Sequence, residues 1–229
     1  MPYKALFLGS IGVVSETSDL QRQAFNTAFE RFGINWVWSR EAYARMLQTQ
    51  GGRARIAAQA EADGLCDEVD VSAVYALKQT IFSDLLTAKG AAARPGVRDV
   101  MAEARKRAMA RAFVTSTSRT QVNAIFQGLR GTMRAGDFDY VGDRADVRLP
   151  KPAPDIYEYA LARLGVAPAE VLCIEDTPES AAAAQAVGLT VVGFPGAAAY
   201  GRAFPEGVPV VEFLSTALLD MPAMRIAAE

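Results

Sequence analysis

Four short apolar runs constrain this chain more than any other feature: Ala5-Leu6-Phe7-Leu8, Ala112-Phe113-Val114-Thr115, Val171-Leu172-Cys173-Ile174 and Thr190-Val191-Val192-Gly193-Phe194. None alternates with polar residues, so each suits a strand buried on both faces, the condition of strands inside a parallel sheet. Helical patterns lie between the runs. Residues 155–164 carry Ile156, Tyr159 and Ala160 on one face and stop at Gly165, and the alanine-rich stretch 179–187 stops at Gly188. Strand-helix-strand alternation of this kind predicts an α/β fold, a Rossmann-like parallel sheet sandwiched by helices.

The stretch from Ser15 to Lys89 follows a different rule, with amphipathic helical patterns and no strand-like run. Its first helix begins with Ser18 and Gln21 in capping-box spacing, sets Leu20, Ala24, Phe25, Ala28, Phe29 and Phe32 on one stripe, and ends at Gly33. A later helix runs to about Leu85 with Val74, Leu77, Ile81 and Phe82 inward. Trp36, Trp38 and Tyr43 read as packing aromatics. The chain of 229 residues, 51% hydrophobic, is long enough for one large core plus a satellite. We expect a sheet domain of residues 1–14 and 90–229, interrupted by a small all-α, four-helix-type insert of residues 15–89. The turn Arg94-Pro95-Gly96-Val97 marks the return. The insert and the carboxyl ends of the strands would enclose a cleft, where open sheets of this type bind ligands.

Composition removes several functions. Lys and Arg total 24 against 26 Asp and Glu, without the like-charged runs that nucleic acid or an anionic membrane surface requires, so neither is expected as a partner. The apolar stretch ending near Leu8 is too short for a signal or membrane segment, and a cytoplasmic location is expected. Cys66 and Cys173 stand in unlike surroundings and predict neither a disulfide nor a metal cluster. The chain has no histidine, which excludes Ser-His-Asp and Cys-His catalysis and every histidine-ligated metal site. Chemistry must rest on carboxylates, lysine, hydroxyls or the backbone.

Such groups collect at the predicted strand ends. The first strand runs into Gly9-Ser10-Ile11-Gly12-Val13; Ser116-Thr117-Ser118 follow the second; Lys151 stands in Lys151-Pro152-Ala153-Pro154-Asp155-Ile156-Tyr157; Glu175-Asp176 end another. The strand to Ser, the Lys-Pro-x-Pro-Asp-Ile-Tyr segment, and the strand to Glu-Asp-x-Pro with Gly188-Leu189 beyond resemble the second, third and fourth motifs of the haloacid dehalogenase superfamily. With the early helical insert, read as that family's cap, the chain is similar to the branch holding phosphoglycolate phosphatases, beta-phosphoglucomutase and xylulose-bisphosphate phosphatases. Ser15-Glu16-Thr17, Ala24-Phe25-Asn26, Ile34-Asn35-Trp36 and Gly51-Gly52-Arg53-Ala54-Arg55-Ile56 echo the last group.

The resemblance implies aspartyl-phosphate chemistry on small phosphorylated metabolites. The family's first motif, Asp-x-Asp-Gly-Thr or Asp-x-Asp-Gly-Val, supplies a nucleophile that also helps hold Mg²⁺, and an acid/base that protonates the leaving oxygen and then deprotonates water. Here Gly9 and Ile11 occupy those two positions. Glycine cannot attack phosphorus and isoleucine cannot carry a proton, so no catalytic residue of the motif is intact. The resemblance leaves Ser116, Thr117 and Lys151 as expected phosphate contacts, Glu175 and Asp176 as a weakened remnant of the Mg²⁺ site, and Arg53 as a cap residue facing substrate. Gln21 stands where relatives often have histidine. Ser10 lacks an evident base to activate it, and Asp143 reads as structural.

Each residue also has a plainer role: Ser116 as a helix N-cap, Glu175-Asp176 as acidic groups at a helix start, Arg53 as a solvated side chain. Three functions stay open. The first is a pseudophosphatase that binds inorganic phosphate or a phosphorylated metabolite. The second is an active phosphatase with a non-standard nucleophile, and the third is a non-catalytic interaction protein. Oligomeric state is not legible.

Overall fold

A computed structural model describes residues 3–9, 11–47 and 51–222. Five parallel strands, β1 (Ala5–Leu8), β2 (Ala110–Phe113), β3 (Tyr140–Val141), β4 (Val171–Glu175) and β5 (Thr190–Gly193), form one sheet in the order β3-β2-β1-β4-β5. The helices are α1 (Ile11–Val14), α2 (Ser18–Arg31), α3 (Arg40–Met46), α4 (Gly52–Ala62), α5 (Val71–Lys89), α6 (Val97–Lys106), α7 (Arg119–Gly128), α8 (Asp155–Leu164) and α9 (Pro178–Ala186). From β1 the chain steps to β2 and β3, then returns to place β4 on β1's other side. The direction of winding therefore reverses between β1 and β4, and a ligand crevice is expected at their carboxyl ends.

Strand pleating splits the core into two layers. Leu6 and Leu8 of β1, with Leu172 and Ile174 of β4, face the layer that holds α2, α5, α6 and α7. Ala5 and Phe7, with Val171 and Cys173, face α8 and α9. Because both faces are covered, β1 and β4 are buried throughout, and that is why their sequences carry no polar alternation. Cys173 is buried and unpaired, and Cys66 is exposed and unpaired.

The structure shifts several sequence-level expectations. β2 starts two residues before the apolar run suggested, because Ala110 and Arg111 pair with Ala5 and Leu6. β3 is two residues long, too short for a periodicity signal. Segment 18–89 contains helices α2 to α5 and, among its described residues, no strand. The proposed capping box at Ser18 and Gln21 does not form: Thr17 is the N-cap of α2, the Ser18 N–H donates to Glu16 Oε1 at 2.8 Å, and Gln21 turns to Lys78. α5 runs four residues beyond Leu85 and is capped by Asp70, which accepts from Ser72 and Ala73. Phe25, Phe29, Trp38 and Tyr43 interlock in an aromatic cluster, with ring centroids 4.8 to 6.0 Å apart. On α8 the inward tyrosine is Tyr157, not Tyr159, since the buried stripe is Ile156, Tyr157, Ala160 and Leu161.

Candidate functional site

β1 and β4 end side by side, with the Gly9 N–H donating to the Ile174 carbonyl at 2.9 Å. That pairing brings Gly9 against Glu175, the last residue of β4. A β-carbon built on Gly9 would fall inside the Glu175 carboxylate, so glycine is required there by close approach and the acid fills the space of the missing side chain. Glu175 is 0% exposed. Its Oε1 accepts from the Lys151 ammonium at 2.8 Å and from the Tyr157 hydroxyl, while its Oε2 is buried with no hydrogen-bond partner. The Lys151 ammonium also donates to the Gly9 carbonyl, and its side chain is only 8% exposed. Tyr157 is held by both of its contacts, since its hydroxyl lies 3.0 Å from the Ser180 carbonyl as well.

Burial pushes the Glu175 carboxyl above the ordinary glutamate range, and the neighbouring Lys151 ammonium opposes that rise. Burial, together with the Glu175 charge, drives the Tyr157 hydroxyl far upward, so it keeps its proton and donates to Glu175. The three side chains form a closed cluster in which one ammonium neutralises one carboxylate.

The second strand end supports the lysine loop. Ser116 is not a helix cap; its hydroxyl accepts the Lys151 amide at 3.2 Å and so fixes the lysine loop, while Ser118 caps α7. Thr117 donates its hydroxyl to Gln121 at 2.9 Å. Thr177, not the acidic pair, caps α9. Asp143 is buried, accepts from the Ala145 amide and pairs with Arg119. Ser10 lies outside the described residues.

A cavity of about 230 Å³ opens beside this cluster, between the strand ends and the helical segment. Ile11, Gly12, Gln121 and Asp176 line it from below, and Gln21, Arg55, Tyr75 and Lys78 from α2, α4 and α5. Gly9, Ser116, Thr117, Lys151 and Glu175 do not line it. A β-carbon on Gly12 would strike the Asp176 carboxylate, so this glycine too admits an acid. Arg53 does not line the cavity: it is exposed, with its guanidinium 5.3 Å from the Tyr75 ring centroid, and Arg55 faces inward instead, donating to the Met46 carbonyl at 2.8 Å. Behind the cavity Arg94 ties three carbonyls together, Gly12 at 2.7 Å, Phe194 at 3.0 Å and Pro195 at 2.7 Å, and stacks on the Phe194 ring.

Sequence reasoning missed Lys78, which is 3% exposed. Its signal was available: it falls on the stripe of Val74, Ile81 and Phe82, where a lysine contradicts the apolar pattern. Tyr157 was missed because a tyrosine in a helical stripe does not disclose which polar group its hydroxyl will meet.

The family model of haloacid dehalogenase-like hydrolases matches residues 6–188, which take in β1 from Leu6, β2, β3 and β4, stop short of β5, and include the cavity's lining up to Asp176. The chain belongs to the haloacid dehalogenase-like hydrolases. Among relatives of this family, it is 32% identical to protein CbbY of Rhodobacter capsulatus over 84% of this chain and 85% of that protein. The crystal structure of CbbY from Rhodobacter sphaeroides in complex with phosphate superposes with a TM-score of 0.83 at 29% identity, covering 96% of this chain and all of that one. A mutant of the same CbbY, in complex with xylulose-(1,5)bisphosphate, gives a TM-score of 0.79 at 30% identity over 92% of this chain and 94% of the other.

Haloacid dehalogenase-like enzymes generally use Mg²⁺, and the donor set here does not fit it. Gly9 offers only a carbonyl, already bonded to Lys151. A divalent cation on the unpartnered Glu175 Oε2 would face the Lys151 ammonium across a single carboxylate, and Mg²⁺ takes near-octahedral oxygen donors with one or two carboxylates and substrate phosphate. Among the described residues no three acidic, histidine or cysteine side chains gather as a cation site.

Proposed function

We propose that this chain is a pseudophosphatase: a haloacid dehalogenase-type protein that binds a small phosphorylated metabolite under a helical cap of residues 15–89 without hydrolysing it. The observation that carries this reading is the Glu175 carboxylate in the space of the missing Gly9 side chain, neutralised by Lys151 and pinned by Tyr157. An aspartyl-phosphate mechanism needs a carboxylate oxygen able to reach phosphorus, and a second group to shuttle the proton. Glu175 is fully buried, and Ile11 has no titratable atom. Losing both groups removes several orders of magnitude in rate.

The proposed ligand class follows from the relatives that bind phosphate and xylulose-(1,5)bisphosphate. The anion is proposed to meet Arg55, which lines the cavity from the cap side, with Gln121 below. Both cysteines are unpaired, which suits a reducing compartment, and we place the protein in the cytoplasm.

The test assays the protein with MgCl₂ against a panel of phosphorylated sugars, including xylulose 1,5-bisphosphate, and an aryl phosphate. A variant combining Gly9→Asp, Ile11→Asp and Glu175→Asp is run beside it, the last change shortening the acid that blocks position 9. The expected result is no turnover by the natural protein, together with a saturable upward shift of its thermal midpoint by at least one panel compound. Turnover by the natural protein at ordinary enzyme rates overturns the proposal. The carboxylates lining the cavity, Glu16 and Asp176, would then be the first nucleophile candidates to replace by their amides.

A further inference from the structure

We infer that Lys78 is a carbonyl-capturing amine, able to hold a small aldehyde or ketone in the cavity as an imine. The geometry is that of a buried amine and not of an ion pair. Lys78 reaches the cavity from α5, and its hydrogen-bond partners among the described residues are two neutral amide oxygens, Gln21 Oε1 and Gln79 Oε1, the latter at 3.0 Å. Two acceptors match the two N–H bonds of a neutral amine and leave its lone pair for a carbonyl carbon. The rest of the shell is aromatic, with the Phe25, Phe82 and Tyr75 ring centroids at 4.7, 5.0 and 5.9 Å from Nζ.

Energetics point the same way. Aromatic faces favour an ammonium without replacing the water it loses on burial. Taking the ion out of water is costly, and among the described residues no carboxylate partner stands against it. Burial, with the Arg55 charge adding to it, brings the lysine down to about 7, so a large share is neutral at physiological pH. An amine of that kind is the usual starting point for Schiff-base chemistry.

The step balances without a further reactant. Nζ adds to the carbonyl carbon, giving a carbinolamine; its hydroxyl then leaves with a proton as water, so the two amine hydrogens depart with the carbonyl oxygen and a carbon–nitrogen double bond remains. Open-chain aldose or ketose phosphates carry both the carbonyl for Lys78 and an anion for Arg55. The capture itself requires only that the cavity admit a carbonyl compound; the preference for a phosphorylated one rests on the function proposed above.

The test incubates the full chain with glyceraldehyde 3-phosphate, or with neutral glyceraldehyde, in the presence of cyanoborohydride, which reduces an imine to a stable secondary amine. Peptide mapping then locates the added mass. The expected result is labelling of Lys78 at least tenfold faster than exposed Lys4 or Lys106, and loss of that fast phase in Lys78→Arg, which keeps a cation but forms no imine under these conditions. Labelling spread evenly over surface lysines, with Lys78 no faster, overturns the inference. Fast labelling of Lys78 by both aldehydes equally supports the inference and counts against the phosphate preference. Since the mapping is done on the natural protein, the result stands even if a variant fails to fold.

Discussion

The carboxylate of Glu175 sits where the side chain of residue 9 would be, and Gly9 leaves it that room. The two positions lie at the ends of adjacent strands, β1 and β4, and their close approach places the Glu175 carboxylate in the interior, away from the cavity.

This coupling predicts that Gly9→Asp alone does not rebuild a phosphatase. The new side chain meets the Glu175 carboxylate as a steric clash and as a like charge. We expect a loss of about 1–3 kcal/mol in urea unfolding, from overpacking, and a partial recovery when Glu175→Asp is added. Equal stability of Gly9→Asp and the natural protein would show that Glu175 swings away freely.

Lys151 and Glu175 are buried together, so removing one partner strands the other. Lys151→Met is expected to cost about 3–5 kcal/mol, as for other broken buried pairs. The double change Lys151→Met, Glu175→Gln leaves no unpaired charge and is expected to be more stable than Lys151→Met. Additive losses in this double-mutant cycle would remove the pairing from the account.

Lys78 makes stability depend on pH in a definite direction. Its folded value is lowered to about 7 from 10.5, so between those limits the unfolded chain binds more protons, and stability rises with pH across that window. Below about pH 7 both states are protonated and the full burial penalty is present. Lys78→Met removes the penalty, so its advantage over the natural protein is expected to be largest at pH 6 and to shrink by on the order of 1–3 kcal/mol toward pH 9.5. An advantage that does not change with pH would mean the amine is not buried as described.

Arg94 holds the loop after β1 to the segment after β5 through three carbonyls. Arg94→Ala leaves those acceptors unpaired and is expected to cost about 2–4 kcal/mol, from lost charge-assisted bonds. Arg94→Lys, a point charge without the planar fork, is expected to recover less than half of the loss. Full recovery by lysine would show that charge alone matters.

If the strand-end cluster is neutral as it stands, millimolar MgCl₂ has no site to fill there. The thermal midpoint of the natural protein is expected to be the same with MgCl₂ and with a chelator. A saturable rise with Mg²⁺ would return Glu175 and Asp176 to a metal-binding role.

The α/β class, four of the five strands and the helical nature of segment 18–89 were legible because they depend on local pattern: uninterrupted apolar runs, 3.6-residue stripes and terminal glycines such as Gly165. That the first strand runs into Gly9 and Ile11, which carry no titratable side chain, was equally plain without a structure. What the sequence by itself determined was therefore the α/β class and the side-chain chemistry available at each position, glycine at 9 and isoleucine at 11 among them. Only the tertiary structure decided where the remaining charges go. Glu175 and Asp176 are neighbours in sequence, yet one is sealed against Gly9, Lys151 and Tyr157 while the other lines the cavity, because successive residues at a strand end point to opposite sides. Arg53 and Arg55 diverge in the same way around the first turn of α4. Lys78 entered the cavity because packing of α5 on α2 carried its whole stripe inward, the amine included, and the free energy of that burial is set by the surroundings rather than by the residue.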